Sequence, residues 1–264
     1  MEITWYGTAA LVMREGDEAI AFDPFFGMPV GCLTDKALVP LPKDNFRAVT
    51  DVFVTHGHFD HIYHLPELCD GSSFRIHCTP APRKTLLRRG VLSERIVPAA
   101  AGKTARVSSF TVTAYQSRHC RYDAPIILQT IFRKRFFHHP VHLIRLLREM
   151  LCCGEKGEIL MYQVSCSGKR IQILGSLGLD MNTEYPTEAD VLILPFQGRS
   201  DLEEHALDII RRLKPRSVLL DHYDNTFPPF SNEIPTESFV KMLCEQEHIP
   251  CSAMMKGRNV HVET

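Results

Sequence analysis

Residues 51–62 read D-V-F-V-T-H-G-H-F-D-H-I, and this stretch constrains the fold more than any other. Three histidines and an aspartate fall within six residues, directly behind an apolar run. The V-F-V triplet reads as a short buried strand. Four metal-capable side chains so close together are hard to explain by packing. Both demands are met when the strand ends at a pocket, since α/β sheets commonly place ligand sites at strand ends. Residues two apart in extended chain point the same way, so His56 and His58 are expected to reach one ion. Gly57 between them keeps the space clear and permits unusual dihedrals. Asp60 and His61 lie one turn further on and are expected to reach a second point nearby. Imidazole suits zinc, iron and manganese, and a carboxylate is the usual companion ligand.

A buried strand needs a sheet around it, and the rest of the chain supplies one. Residues 1–22 read as three strands, I-T-W-Y, A-L-V-M and A-I-A-F, separated by turn residues and closed by Asp23-Pro24. Residues 25–48 are rich in Gly and Pro and read as a long surface loop. Strands follow at 74–79 and 110–115. A short basic helix is expected at 81–89, ended by Gly90. A hairpin over 158–164 and 170–174 turns at Ser167-Gly168. Buried strands come next at 191–195 and 217–221. Between them, residues 201–213 place Leu202, Ala206, Ile209, Ile210 and Leu213 on one helical face, with Ser200 as N-cap and Pro215 as the stop. A helix near 236–247 and a last strand, N-V-H-V-E, complete the pattern. No sequence repeat and no low-complexity linker interrupts it, so the expectation is one mixed α/β domain over residues 1–264.

The exception is 124–153, A-P-I-I-L-Q-T-I-F-R-K-R-F-F-H-H-P-V-H-L-I-R-L-L-R-E-M-L-C-C. It reads as a helical insertion that Pro140 splits in two. It can serve as a lid, a dimer surface or a contact with membrane lipid, and the first two uses are favoured. As a lid, Arg133, Lys134 and Arg135 would favour an anionic substrate. His138, His139 and His142 in the same segment read as a solvated face.

Composition excludes several classes of function. The chain has 264 residues, 44% hydrophobic and 23% charged, with a formal net charge of −1. That balance creates no field to attract nucleic acid or an anionic membrane. No run is long enough for a spanning helix, and the N-terminus M-E-I-T-W-Y-G does not read as a secretory signal. Nine cysteines, an odd number without a C-x-x-C pair, are expected to be reduced thiols in the cytoplasm.

Two further histidines stand just after apolar runs, at the same kind of position as the first cluster. His119 ends A-Y-Q-S-R-H-C, and His222 follows L-L-D. The pattern H-x-H-x-D-H with later histidines at strand ends resembles the metallo-β-lactamase superfamily of metal-dependent hydrolases. I-T-W-Y-G-T-A-A-L-V and I-A-F-D-P look like the branch with the ascorbate-6-phosphate lactonases and N-acyl phosphatidylethanolamine phospholipases. The resemblance covers nearly the whole chain outside the insertion. It implies a four-layer αββα sandwich with a site at one edge, between the sheets. It further implies that His56, His58 and His119 hold one metal ion and that Asp60, His61 and His222 hold another. Asp60 is then also the candidate catalytic residue. Zinc is the first expectation, as one or two ions, with manganese or iron as alternatives. A metal-bound hydroxide would attack an ester, lactone or phosphodiester.

The sequence departs from that family at two places. The family usually has a bridging aspartate in a G-D-T-G-like turn, whereas I-L-G-S-L-G-L-D puts Ser176 there. The second ion is then expected to bind weakly, through water, or not at all, unless Asp180 reaches in instead. Thr8 stands where many members of the branch carry histidine. Asp23 is a candidate for orienting a ligating histidine from behind. The leading expectation is a cytoplasmic metal-dependent hydrolase of a small-molecule substrate, with a homo-oligomer compatible. The alternative is a non-hydrolytic metal-binding or sensor protein on the same fold, motivated by Ser176. A nuclease is disfavoured by the near-neutral charge.

Overall fold

A computed structural model describes residues 1–27, 43–121, 123, 138–154, 156–228 and 230–262. Arg133, Lys134 and Arg135, the first part of the 124–153 insertion and Cys32 lie outside the described residues.

Two seven-stranded sheets face each other. The first is built mostly by the N-terminal half: β1 (Glu2–Gly7), β2 (Ala10–Glu15), β3 (Glu18–Phe22), β4 (Val49–Phe53), β5 (Arg75–Cys78) and β6 (Ile96–Pro98) lie side by side in chain order. The second holds β7 (Thr104–Val107), β8 (Phe110–Ser117), β9 (Ile159–Cys166), β10 (Lys169–Leu174), β11 (Val191–Pro195), β12 (Val218–Asp221) and β13 (Cys251–Ala253), again in chain order. The last strand, β14 (Asn259–His261), returns to pair antiparallel with β1. Each sheet starts as an antiparallel meander and ends as a parallel run, over β3 to β6 in the first and β10 to β13 in the second. The two halves share this topology without a repeat in their sequences.

The parallel strands explain their own sequences. β11, V-L-I-L-P, is buried at every position, because a parallel strand is covered on both faces and needs no polar alternation. Ile193 points into the core between the sheets with Trp5, Phe22, Phe53, Phe110 and Tyr162. Leu192 and Leu194 point the other way, onto the helices α6 (Leu202–Leu213) and α7 (Glu237–Glu245). The outer face of the first sheet is covered by the short helices α2 (Phe59–Ile62) and α3 (Leu65–Cys69), by α4 (Pro80–Arg88) and by α5 (Pro140–Cys152). The four layers are those of the expected αββα sandwich.

Several local expectations are revised. The segment 25–48 is not a loop throughout, since Lys43–Phe46 forms one helical turn, α1. β6, β7 and β13 have only three or four residues each, too few to show a period of two. Pro140 does not split the described helix but starts it, where its missing N–H costs nothing. Asp201, not Ser200, is the residue before α6, and its side chain makes no capping bond.

Candidate metal centre

The site lies where strands of both sheets end. β4 runs into Thr55, His56 and His58; β8 runs into His119; β10 into Gly175 and Ser176; and β12 into His222. α2 begins one residue after His58 and carries Asp60 and His61 on its single turn.

Six side chains form two adjacent groups. His56, His58 and His119 each bring a ring nitrogen within 4.8 Å of the others, and Asp60, His61 and His222 do the same with two nitrogens and a carboxylate oxygen. In the first group His56 Nε2 stands 3.1 Å from His58 Nδ1. Two nitrogens that share one tetrahedral zinc at about 2.0–2.1 Å lie about 3.3 Å apart, so this spacing already fits a common ion. In the second group Asp60 Oδ2 is 3.6 Å from His222 Nε2 and 3.9 Å from His61 Nε2. The structure brings together the six residues that the resemblance grouped.

The opposite edges of two of the rings are held from behind. His61 Nδ1 lies 2.9 Å from Asp23 Oδ2, and His119 Nδ1 lies 2.7 Å from the Cys120 carbonyl. Both contacts place the proton on Nδ1 and leave Nε2 facing the site. Asp23 also accepts the Thr55 N–H at 2.8 Å and the Thr55 hydroxyl at 2.5 Å. It is 1% exposed and has a positive φ of 42°. His222 also has a positive φ, 56°, and its N–H donates to the Thr8 carbonyl at 2.9 Å. Backbone conformations this sparsely populated cluster at functional sites. Thr8 itself takes part through its backbone, donating its N–H to Asp224.

The electrostatics suit a cation. Burial, together with the neighbouring histidines, pushes His56 well below the ordinary histidine pKa. Burial likewise lowers His58 to about 4, against the opposing pull of Asp60. Both rings are therefore neutral near pH 7, with lone pairs available. Burial works against the Asp60 carboxylate, but His61 and His222 outweigh it and hold its pKa well below the usual range. For His61, burial is likewise outweighed, here by Asp23 and Asp60, which raise its pKa.

A cavity of about 110 Å³ opens onto both groups. Phe59, Leu177 and Phe227 give it apolar walls, and Met150 and Cys153 from α5 and the residue after it close one side. The insertion thus borders the pocket. Ser176 lines the cavity and accepts the Cys120 N–H at 2.9 Å. Asp180 is placed elsewhere: its carboxylate takes Arg118 Nε at 2.6 Å and the Asn182 N–H at 2.8 Å, and it belongs to neither donor group. His138, His139 and His142 form no such group among the described residues. Asp221 is fully buried, and burial with the nearby Asp224 and Asp23 pushes its pKa well up.

Some residues of the site were not legible in the sequence. Gly175 is one: a Cβ there would stand 1.9 Å from Thr55 Oγ1. Gln197 is another, with its side-chain amide 3.1 Å from His222 Nε2. Gly175 stands in the turn already singled out at Ser176, but nothing in the sequence assigns its role; Gln197 has no motif, and only its position after β11 could have pointed to it. Gly57 matters for a different reason than expected. It has no positive φ; a Cβ would instead lie 2.4 Å from the Gly154 carbonyl oxygen, where the end of the insertion crosses the histidine loop.

Comparison with known proteins agrees with this fold. A family model described as a β-lactamase superfamily domain matches residues 18–140. A UPF0173 metal-dependent hydrolase of Polaromonas sp. (strain JS666 / ATCC BAA-500) is 24% identical over 248 residues, 89% of this chain and 81% of the relative. A relative of the same description from Mesorhizobium japonicum is 30% identical over 119 residues, 45% of this chain and 48% of its own. Among solved structures, Igni18, a metallo hydrolase from the archaeon Ignicoccus hospitalis KIN4/I, matches at 19% identity with a TM-score of 0.64, over 100% of this chain and 98% of its own. The isothiocyanate hydrolase from Delia radicum gut bacteria matches at 14% identity with a TM-score of 0.60, over 99% of both chains.

Proposed function

Since the chain has the metallo-β-lactamase fold and is related to the UPF0173 metal-dependent hydrolases, we propose that it is a metal-dependent hydrolase that cleaves an ester, lactone or phosphodiester. The observation that carries this reading is the pair of three-donor groups facing one cavity. The donor set fits divalent cations. His56, His58 and His119 would hold one ion and Asp60, His61 and His222 a second, with zinc the first expectation from the imidazole-rich set. When bound, a divalent cation polarises the oxygen it faces and lowers the pKa of a coordinated water to about 7.

The chain's own residues do the rest. Asp60 is the only carboxylate in either group, and its depressed pKa keeps it ionised at working pH. It would help hold the second ion, and it keeps a negative charge beside the cavity, which is the catalytic role assigned to it. Asp23 fixes the tautomer of His61 so that Nε2 stays available. Phe59, Leu177 and Phe227 give the cavity apolar walls, and a less polar surrounding strengthens charge interactions. In this reading the substrate is a small molecule whose reactive group enters the cavity.

A panel of ester, lactone and phosphodiester substrates tests the proposal. Turnover by the zinc-loaded chain on at least one class, abolished by chelation and lowered about 100-fold or more by His222→Ala, is the expected result. A chain that binds metal yet turns over none of the panel would favour the sensor reading over the hydrolase.

A further inference from the structure

His222 stands in a backbone conformation that a histidine rarely takes. Its φ is 56°, in the left-handed region, and Thr8, which accepts its N–H, has a φ of 49°. Such a value is uncommon outside glycine and a genuine outlier for a β-branched residue. It persists only where the surroundings over-determine it. Both residues are buried, and the contacts around them show what holds them.

One carbonyl joins the two. The Thr8 oxygen accepts the His222 N–H at 2.9 Å and the indole N–H of Trp5 at 2.8 Å. The Thr8 N–H in turn donates to Asp224 Oδ1 at 2.9 Å. Asp224 is buried, and its other oxygen, Oδ2, lies 2.6 Å from Lys256 Nζ. A side chain at position 7 would displace this pair, since a Cβ on Gly7 would stand 2.8 Å from Lys256 Cε and 3.1 Å from Asp224 Oδ2. Lys256 belongs to the segment that crosses from β13 to β14, and so from one sheet to the other. The same crossing is fixed by the Gly257 N–H, which donates to the Trp5 carbonyl at 2.7 Å, and by the Tyr223 hydroxyl, which donates to the Met254 carbonyl at 2.5 Å. Asp224 thus ties the β1–β2 turn to the crossing segment, and it is not among the described residues that line the cavity.

Resting on the proposed metal centre, we infer that Asp224 is a positioning residue. By fixing Thr8, and anchored itself by Lys256, it holds the His222 backbone in the left-handed conformation that keeps Nε2 beside Asp60, 3.6 Å from Oδ2. It acts on the ion of the Asp60, His61 and His222 group and leaves the His56, His58 and His119 group untouched.

Zinc affinity, measured by competition with a chromophoric chelator, tests this in two backgrounds that each keep one group. His119→Ala keeps the Asp60 group, and His222→Ala keeps the His56 group. Adding Asp224→Ala should weaken zinc binding by about tenfold or more in the His119→Ala chain and leave it unchanged in the His222→Ala chain. Asp224→Asn, which keeps an acceptor for the Thr8 N–H, should restore most of that loss. A merely structural role would move both backgrounds alike. Lys256→Met, at an exposed side chain, should weaken zinc binding in the His119→Ala chain by about twofold to fivefold, and it decides the matter if Asp224→Ala does not fold. No loss in the His119→Ala chain, or an equal loss in both backgrounds, overturns this inference and leaves the hydrolase reading standing. A parent chain that takes up no zinc overturns both.

Discussion

Asp23 accepts hydrogen bonds from Thr55 and His61 at once, and so ties the end of β4 to a candidate ligand. Replacing it with Asn keeps the shape but removes the charge that fixes His61. Asp23→Asn is expected to weaken metal binding at the Asp60 group by about 10–100-fold, measured by competition with a chromophoric chelator. Gly175→Ala would drive a methyl into Thr55. Overpacking of this kind costs about 1–3 kcal/mol, read as a lowered midpoint in urea unfolding. His64 makes a separate prediction. It is 6% exposed, accepts the Phe26 N–H, and burial lowers its pKa from 6.5 to about 4. The unfolded chain therefore binds more protons than the folded one between those values. Stability is fully present above pH 6.5 and is lost as pH falls toward 4. His64→Gln, which keeps an acceptor but cannot titrate, should flatten the melting temperature across that window. At this scale the sequence was read well wherever chemistry and spacing coincide, as at 56–61. It was silent at Thr55 and Gln197, whose partners Asp23 and His222 stand on other strands' ends 32 and 25 residues away, and it gave no reason for a glycine at 175, which lies against Thr55.

The strands were legible as elements because burial on both faces writes a continuous apolar run. The shortest strands and the single-turn helices were not, because a segment of three or four residues has no period to detect. The described helix of the insertion shows what pattern alone can miss. α5 has a strongly one-sided burial: Leu146 is in the core, whereas Ile144 is 66% and Leu151 87% exposed. Arg89 lies over the Tyr63 ring at 5.2 Å and pairs with Glu149, which anchors the helix to α4. Composition predicted a helix but could not say which apolar residues do the holding. Leu146→Ala should cost about 2–4 kcal/mol, while Leu151→Gln should change stability by no more than about 0.5 kcal/mol. Parallel urea titrations of the two variants check both.

At the scale of the molecule, the two sheets repeat one topology and present their strand ends to a shared edge. His56 and His58 come from the first sheet, and His119 and His222 from the second, so both donor groups, and the cavity between them, depend on the sheets staying packed. Metal bound across this seam is expected to raise the melting temperature of the whole chain, and chelation to lower it, because a ligand that binds only the folded state stabilises it in proportion to its occupancy. The mixed α/β class was legible from the alternation of strands and helices, and the layer order only through the resemblance. The pairing of strand ends across the seam was legible only through the resemblance, since no local pattern records which distant histidines will meet. The most direct test of the account is the number of zinc ions bound per chain at saturation, by elemental mass spectrometry after gel filtration. The account predicts two ions of unequal affinity, falling to one in His119→Ala and to one in His222→Ala. No uptake by the parent chain, or loss of neither ion in these variants, would contradict it.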